Sequence, residues 1–240
     1  MAGHSKWKNI MHKKGKTDAQ RAKVFTKIGK EMAIAVKAGG ANPDSNGKLR
    51  DLIIKAKSLN VPNDNIERII KKASGADQAE YENITYEGYG PGGVAVIVEC
   101  ATDNRNRTGG DVRHYFDKFG GNLGVIGSVS YLFTKKGIII AEAAGIDEDT
   151  FMNDALEAGA DDFMKEEEIF EIEADPVHVS GIAGKLSAAG YKILSSEIEM
   201  IPSVYVTLDE DGTVKINKLL EHLEDNDDVL NIWHNWEQNG

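Results

Sequence analysis

A chain of 240 residues that is 41% hydrophobic and 28% charged has the composition of a folded globular protein, long enough for one large domain or two to three small ones. No run approaches the roughly 18 apolar residues of a membrane helix, the first thirty residues are basic and lack an apolar secretory core, and a single cysteine excludes a disulfide framework and a cysteine-rich zinc site. A reduced, cytoplasmic protein with no membrane partner is expected. The net charge of −11 conceals a division: residues 1–75 carry 17 Lys and Arg against 6 Asp and Glu, whereas residues 76–240 carry 11 against 33. A basic head on an acidic body points to a polyanion held by the head and repelled elsewhere.

In chain order, residues 1–16 read as an extended basic arm, with Lys6, Lys8, Lys13, Lys14 and Lys16 set among His4, Trp7 and His12 without apolar periodicity. Thr17 and Gln20 have capping-box spacing and open a helix. Val24, Phe25, Ile28, Met32, Ala35 and Val36 recur along it at helical spacing until Gly39-Gly40, with Lys23, Lys27, Lys30 and Lys37 on another face. A second helix is expected from about Asp44 to Leu59. A third follows Pro62 and stops at Gly75, with Ile66, Ile69, Ile70 and Ala73 inward. Lys48, Arg50, Lys55, Lys57, Arg68, Lys71 and Lys72 widen the basic patch of this three-helix domain.

After a linker near Gly75–Tyr81 the pattern changes to alternating strands and helices. The Gly-rich run Gly88–Gly93 precedes a strand and lacks a following Gly-Lys-Ser/Thr, so it reads as a tight turn and not as a phosphate loop. Val94–Cys100 is a buried strand, Thr108 to Phe119 a helix capped near Thr108, and Ser128–Phe133 a strand. Residues 138–200 then give strand, helix, strand, strand, helix, strand, the order of a ferredoxin-like sandwich. A strand at Val204–Leu208, a helix at Val214–Glu224 and a strand at Val229–Trp233 combine with residues 94–133 into the same order. The expected fold is α+β: a three-helix N-terminal domain followed by two ferredoxin-like α/β domains, the third inserted into the second. The boundaries are 1–77 for the basic head, 78–134 plus 203–240 for the discontinuous domain, and 135–202 for the insert.

The arm and first helix supply the candidate nucleic-acid site: Lys6, Trp7, Lys8, Lys13, Lys14, Lys16, Arg21, Lys23, Lys27 and Lys30. Clustered lysines track phosphate and release counterions, and Trp7 offers a stacking face for an unpaired base. The competing description is a solvated polar face. Asn104, Arg105, Asn106, Arg107 and Thr108 form a candidate secondary anion or partner site at a strand-to-helix junction, or else a capped turn with solvated arginines. Cys100 lies in an apolar strand and reads as core. The six histidines are scattered without ligand spacing, and the acidic runs Glu166–Glu168 and Glu224–Asp228 read as solvated edges. No metal, cofactor or obligate small-molecule substrate is expected.

Four motifs resemble the YebC/PmpR family: Met-Ala-Gly-His-Ser-Lys-Trp at 1–7, Tyr-Glu-Gly-Tyr-Gly-Pro-Gly-Gly at 86–93, Thr-Asp-Asn-Arg-Asn-Arg-Thr at 102–108 and Gly-Gly-Asn-Leu-Gly at 120–124. The resemblance implies three domains, no enzyme activity, and a DNA-binding transcriptional regulator of the bacterial cytoplasm. It also implies an alternative, because other members, including the mitochondrial translational activator of cytochrome c oxidase, act in translation. In that case the partner is ribosomal RNA or tRNA on the ribosome, and the role is to assist elongation or activate translation. The charge division carries its own prediction. A fragment of residues 1–75 binds nucleic acid more tightly than the full chain at low salt, measured by titration against a labelled oligonucleotide. Binding no better than that of residues 76–240 would remove the basic head as the binding end.

Overall fold

The computed structural model describes residues 18–75, 80–166 and 168–237. In chain order the elements are α1 (Asp18–Gly39), α2 (Gly47–Ser58), α3 (Asn63–Ala73), β1 (Glu82–Tyr89), β2 (Ala95–Thr102), α4 (Arg105–Lys118), β3 (Asn122–Leu123), β4 (Phe133–Glu142), α5 (Glu148–Ala158), β5 (Asp162–Glu166), β6 (Ile169–Ala174), α6 (Val179–Ala188), β7 (Ile193–Pro202), α7 (Glu210–Asp225) and β8 (Val229–His234). Seven helices and two four-stranded sheets among the described residues make the protein α+β. No helix among them is long and apolar enough to cross a membrane. The chain forms two compact units. Unit 1 comprises Met1–Gln78 with Lys135–Glu199, and unit 2 comprises Ala79–Thr134 with Met200–Gly240. The segments expected as head and insert thus share a unit.

In unit 1, α1, α2 and α3 bury Ile28, Met32, Leu49, Leu52, Ala56, Val61 and Ile66 against one another. Asn46 fixes the turn between the first two helices. Its side-chain oxygen accepts from the Leu49 N–H at 3.1 Å, and its amide donates to the carbonyls of Ala35 and Gly40, both at 2.8 Å. That cap starts α2 at Gly47 and not near Asp44, because a side-chain acceptor three residues before a free N–H defines a helix start. In the insert, the strand order β5-β6-β4-β7 places the insert's first and third strands in the centre, as a ferredoxin-like sandwich requires. The helices α5 and α6 cover one face, where Phe151 stacks on Phe170 with ring centroids 4.2 Å apart.

The three-helix bundle meets the insert through α2. Ile54 packs on the insert core, and the Ser180 hydroxyl donates to the Asp51 carboxylate. Lys55 lies between two carboxylates, 3.2 Å from Glu31 and 2.8 Å from Glu197. Burial alone would push the Lys55 ammonium down, but Glu197 and Glu31 more than reverse this and hold it charged.

In unit 2 the sheet order is β3-β1-β2-β8, with α4 and α7 on one face around Val96, Val98, Phe116, Ile216, Leu219 and Leu223. The element order of unit 2, β1-β2-α4-β3-α7-β8, is not the strand-helix-strand-strand-helix-strand expected of a second ferredoxin-like domain, because four elements differ from expectation, among them the two-residue strand β3. The strand β1, not expected, pairs antiparallel with β2 along its full length, from Glu82 opposite Thr102 to Tyr89 opposite Ala95. Residues 128–133, expected as a strand, form a short 3-10 turn at Ser130–Leu132 before β4 begins at Phe133. The segment Val204–Leu208 makes one isolated bridge, Val206 to Trp236, and joins neither sheet as a strand. Of Gly88–Gly93, expected as a tight turn, Gly88 and Tyr89 still belong to β1, and Gly90–Gly93 closes the β1–β2 hairpin. Gly92 and Gly93 take φ of +66° and +78°, a left-handed geometry that suits glycine.

The Lys55 arrangement predicts a specific instability. In Lys55→Ala, Glu31 and Glu197 face each other without their shared cation, and removing one partner from a buried pair costs about 3–5 kcal/mol. Denaturant unfolding of the full chain should show a loss of that size. Lys55→Met with both glutamates changed to Gln should recover much of it. A loss under about 1 kcal/mol would place Lys55 among weak surface pairs.

Candidate nucleic-acid interface

Lys6, Trp7, Lys8, Lys13, Lys14 and Lys16 lie outside the described residues. On α1, Lys23, Lys27, Lys30 and Lys37 follow one another at steps of four, three and seven, so at 3.6 residues per turn they form one stripe. The buried residues Ile28, Met32, Ala35 and Val36 occupy the opposite side. Arg21 does not join the stripe. It stands seven residues before Ile28, and so on the same side of the helix as the core, although it is exposed there. The four lysines and Arg21 all engage in further interactions within the chain. Lys48, Lys57, Arg68, Lys71 and Lys72 are exposed. The pairs Lys55/Lys57 and Lys71/Lys72 fall in the last turns of α2 and α3, where cations complement the negative ends of the helix dipoles. Lys55 is spent on Glu31 and Glu197 and drops out of the patch. Half-buried Arg50 reaches α6, its guanidinium 4.0 Å from where a Cβ on Gly184 would stand.

At the secondary site the helix begins earlier than expected. Asn104 caps α4 by accepting from the Arg107 N–H at 3.1 Å, so Arg105, Asn106 and Arg107 form its first turn and Thr108 lies inside it. The anion at this helix start belongs to the chain. Asp228 is 5% exposed, and its Oδ2 accepts from Arg107 at 2.7 Å, the Thr108 hydroxyl at 2.8 Å and the Thr102 hydroxyl at 3.2 Å. Arg107 also donates to Asp103 at 2.9 Å. Arg105 stays exposed, 3.9 Å from Glu82, and Asn106 is exposed. The motif therefore splits. Asn104, Arg107 and Thr108 are structural, and Arg105 and Asn106 face outward. Asp228 had read as part of a solvated acidic run; its burial is visible once β8 is laid beside β2, where the Ala101 N–H donates to the Asp228 carbonyl at 2.8 Å.

A second buried carboxylate escaped the sequence reading. Glu87, 4% exposed, accepts from the backbone N–H groups of Gly127, Val129 and Ser130, each at 2.9 Å. Burial pushes its carboxyl up, but the three donors outweigh this and hold it below the usual carboxylate range.

Known proteins match this chain almost end to end. The model of the TACO1/YebC protein N-terminal domain matches residues 5–76, and that of the TACO1/YebC second and third domain matches residues 81–236. A probable transcriptional regulatory protein of Acetivibrio thermocellus is 56% identical over 239 residues, covering 98% of this chain and 99% of the relative. One of the same name from Ruminiclostridium cellulolyticum is 56% identical over 241 residues, covering 99% and 97%. The crystal structure of a conserved hypothetical protein from Aquifex aeolicus superposes with a TM-score of 0.81 at 43% identity, over 93% of each chain.

The geometry at Asp228 separates the two arginines. Asp228→Ala removes the acceptor shared by two buried hydroxyls and the Arg107 guanidinium, leaving Arg107 with Asp103 and Thr108 with the Asn104 carbonyl, and should cost about 1–3 kcal/mol. Arg107→Ala should also lower the melting midpoint, by less, whereas Arg105→Ala should leave it in place. Thermal unfolding of the three variants is the measurement. A midpoint unmoved in both Asp228→Ala and Arg107→Ala would return the cluster to an external anion.

Proposed function

Because the chain belongs to the TACO1/YebC family, we propose that it is a non-catalytic regulator of gene expression that holds nucleic acid through its basic head. The observation that carries this reading is the charge division, +11 in residues 1–75 against −22 in residues 76–240. The lysine stripe of α1, opposite that helix's core side, supports it, because cations gathered on one face neutralise phosphates and release their counterions. DNA is the first choice of target, since the relatives named above are called probable transcriptional regulatory proteins. The protein acts in the cytoplasm and uses no cofactor or metal. Lysine is a flexible point charge, so the contacts position the polymer more than they read its bases.

A second reading, a translation factor on ribosomal RNA or tRNA, draws on the same head. In a helix-turn-helix the first helix braces the second against the duplex backbone. Here α2 is committed to the insert through Asp51, which meets Ser180 on α6, through Ile54, which packs on the insert core, and through Lys55, which pairs with Glu197 on β7. That favours recognition by shape and phosphate, as structured RNA requires.

The test is a titration of the full chain against duplex DNA and a looped RNA at several salt concentrations. Replacing Lys23, Lys27 and Lys30 together with Gln should lower the salt slope by about 2–3, since each phosphate no longer neutralised on duplex removes about 0.9. Trp7→Ala should weaken looped RNA by about 1–3 kcal/mol and leave duplex nearly unchanged. A flat salt response would remove the head as the binding end, and equal losses on both ligands would remove the stacking role of Trp7.

A further inference from the structure

The loop between β3 and β4 in unit 2 is built to hold apolar side chains in water. Gly124 N–H donates to the Glu87 carbonyl at 2.8 Å, and Ser128 N–H donates to the Val125 carbonyl at 3.0 Å, closing a four-residue turn. Gly127 takes φ of +88° at the third position of that turn. The Glu87 carboxylate then gathers the N–H groups of Gly127, Val129 and Ser130, and the Tyr89 hydroxyl donates to the Ser128 carbonyl at 3.1 Å. Val129 is fully buried with Ala95, Ile97 and Phe133. Every anchor falls on one side or the other of Val125-Ile126, which stand at the tip, 77% and 81% exposed, with Tyr131 beside the loop at 71%. These are the three most exposed large apolar side chains among the described residues of unit 2.

Single exposed aliphatics are ordinary. A pair at the apex of a turn whose backbone is fixed by a buried carboxylate is different, since any polar pair would serve the turn equally well in water. Ordering the loop in advance removes the entropy that a partner would otherwise have to overcome. We infer that this tip is a docking element that inserts Val125 and Ile126 into an apolar pocket of a partner protein whose rim carries lysine or arginine.

Charge decides the class of partner. Residues 119–134 contain no Asp, Glu, Lys or Arg, so the loop has nothing with which to hold phosphate. Unit 2 as a whole carries 6 Lys and Arg against 16 Asp and Glu, a net −10. That field repels a nucleic acid and steers a cationic protein surface. An apolar centre with a charged surround is the anatomy of a protein interface, in which a few desolvated anchors carry most of the energy. This inference is independent of the basic head.

The test uses the full chain with a benzophenone amino acid in place of Ile126, and a control with the same probe at exposed Val214 on α7. Both are irradiated in the producing cells, and the adducts are treated with nuclease before identification by mass spectrometry. The expected result is one dominant, nuclease-resistant protein adduct at 126 that is absent at 214. That protein is then purified and titrated against wild type and Val125→Ser/Ile126→Ser. The double variant should melt like wild type and bind at least about tenfold more weakly, the effect of losing two buried aliphatics. The ratio of the two affinities should hold constant with salt while both weaken together. A nuclease-sensitive adduct, no adduct above the control, or equal binding by the double variant would each overturn the inference. A nuclease-sensitive adduct would do so while leaving the reading of the head intact.

Discussion

The positive end of a helix and an arginine in its first turn create a strong demand for an anion. In unit 2 that demand is met from inside the chain by Asp228. One carboxylate oxygen of Asp228 joins the end of β2 through Thr102 to the first turn of α4 through Arg107 and Thr108, and the residue's backbone carbonyl accepts from the Ala101 N–H just before β8 begins. The pairing of β2 with β8 passes through an irregularity between Glu99 and Cys100, so the ladder alone does not fix that end of the sheet. Glu87 does the same work at the opposite end of the β1–β2 hairpin, where it takes three backbone donors. Each carboxylate ties a loop to the sheet by satisfying polar groups that would otherwise be buried unpaired.

Unit 1 applies the same chemistry with the signs exchanged. Lys55 is a cation enclosed by carboxylates from α1 and β7, and it joins the bundle to the insert. A buried pair of this kind adds little net stability over an apolar contact, but it penalises any register in which one charge is left alone. The Asp51–Ser180 contact a turn earlier on α2 adds a second constraint. Together they fix which face of α2 meets α6, and so which of the head's cations remain outward. The basic count of the head therefore overstates its binding surface.

Most helices and the whole insert were legible because their apolar residues keep a period. Phe151, Ala155 and Ala158 on α5, and Val179, Ile182, Ala183 and Leu186 on α6, announce buried faces. The hairpin strand β1 was not legible. Its inward residues are Ile84, Tyr86 and Gly88, and its other face buries a glutamate, so the apolar alternation in Glu-Asn-Ile-Thr-Tyr-Glu-Gly-Tyr rests on Ile84 and Tyr86 alone. Gly88 is required there because a Cβ would come within 2.6 Å of the Asn122 carbonyl oxygen. Residues 128–133 misled in the opposite sense. Val129 and Phe133 are buried like strand residues, yet the intervening backbone turns, since its N–H groups go to Glu87 and not to a neighbouring strand. The lysine stripe on α1 was readable from spacing alone. The commitments of Lys55, Arg107 and Asp228 were not, because each depends on a partner at least 24 residues away in the chain.

Two surfaces with unlike physics follow from this arrangement. A row of lysines binds any phosphate polymer, with an affinity set by counterion release and therefore tolerant of sequence. Discrimination among targets needs desolvated contacts of defined shape, which such a row cannot supply. Val125 and Ile126 offer the converse: little attraction at a distance, and an energy that appears only when a complementary pocket closes over them. In a chain that combines the two, capture and selection need not reside in one domain. On the proposed reading charge brings the head to a polyanion, and on the inference drawn for unit 2 a protein docked there decides the identity of the complex. The acidic surface of that unit, unfavourable to nucleic acid, then narrows the partner to one that is itself cationic, as proteins already associated with nucleic acid commonly are.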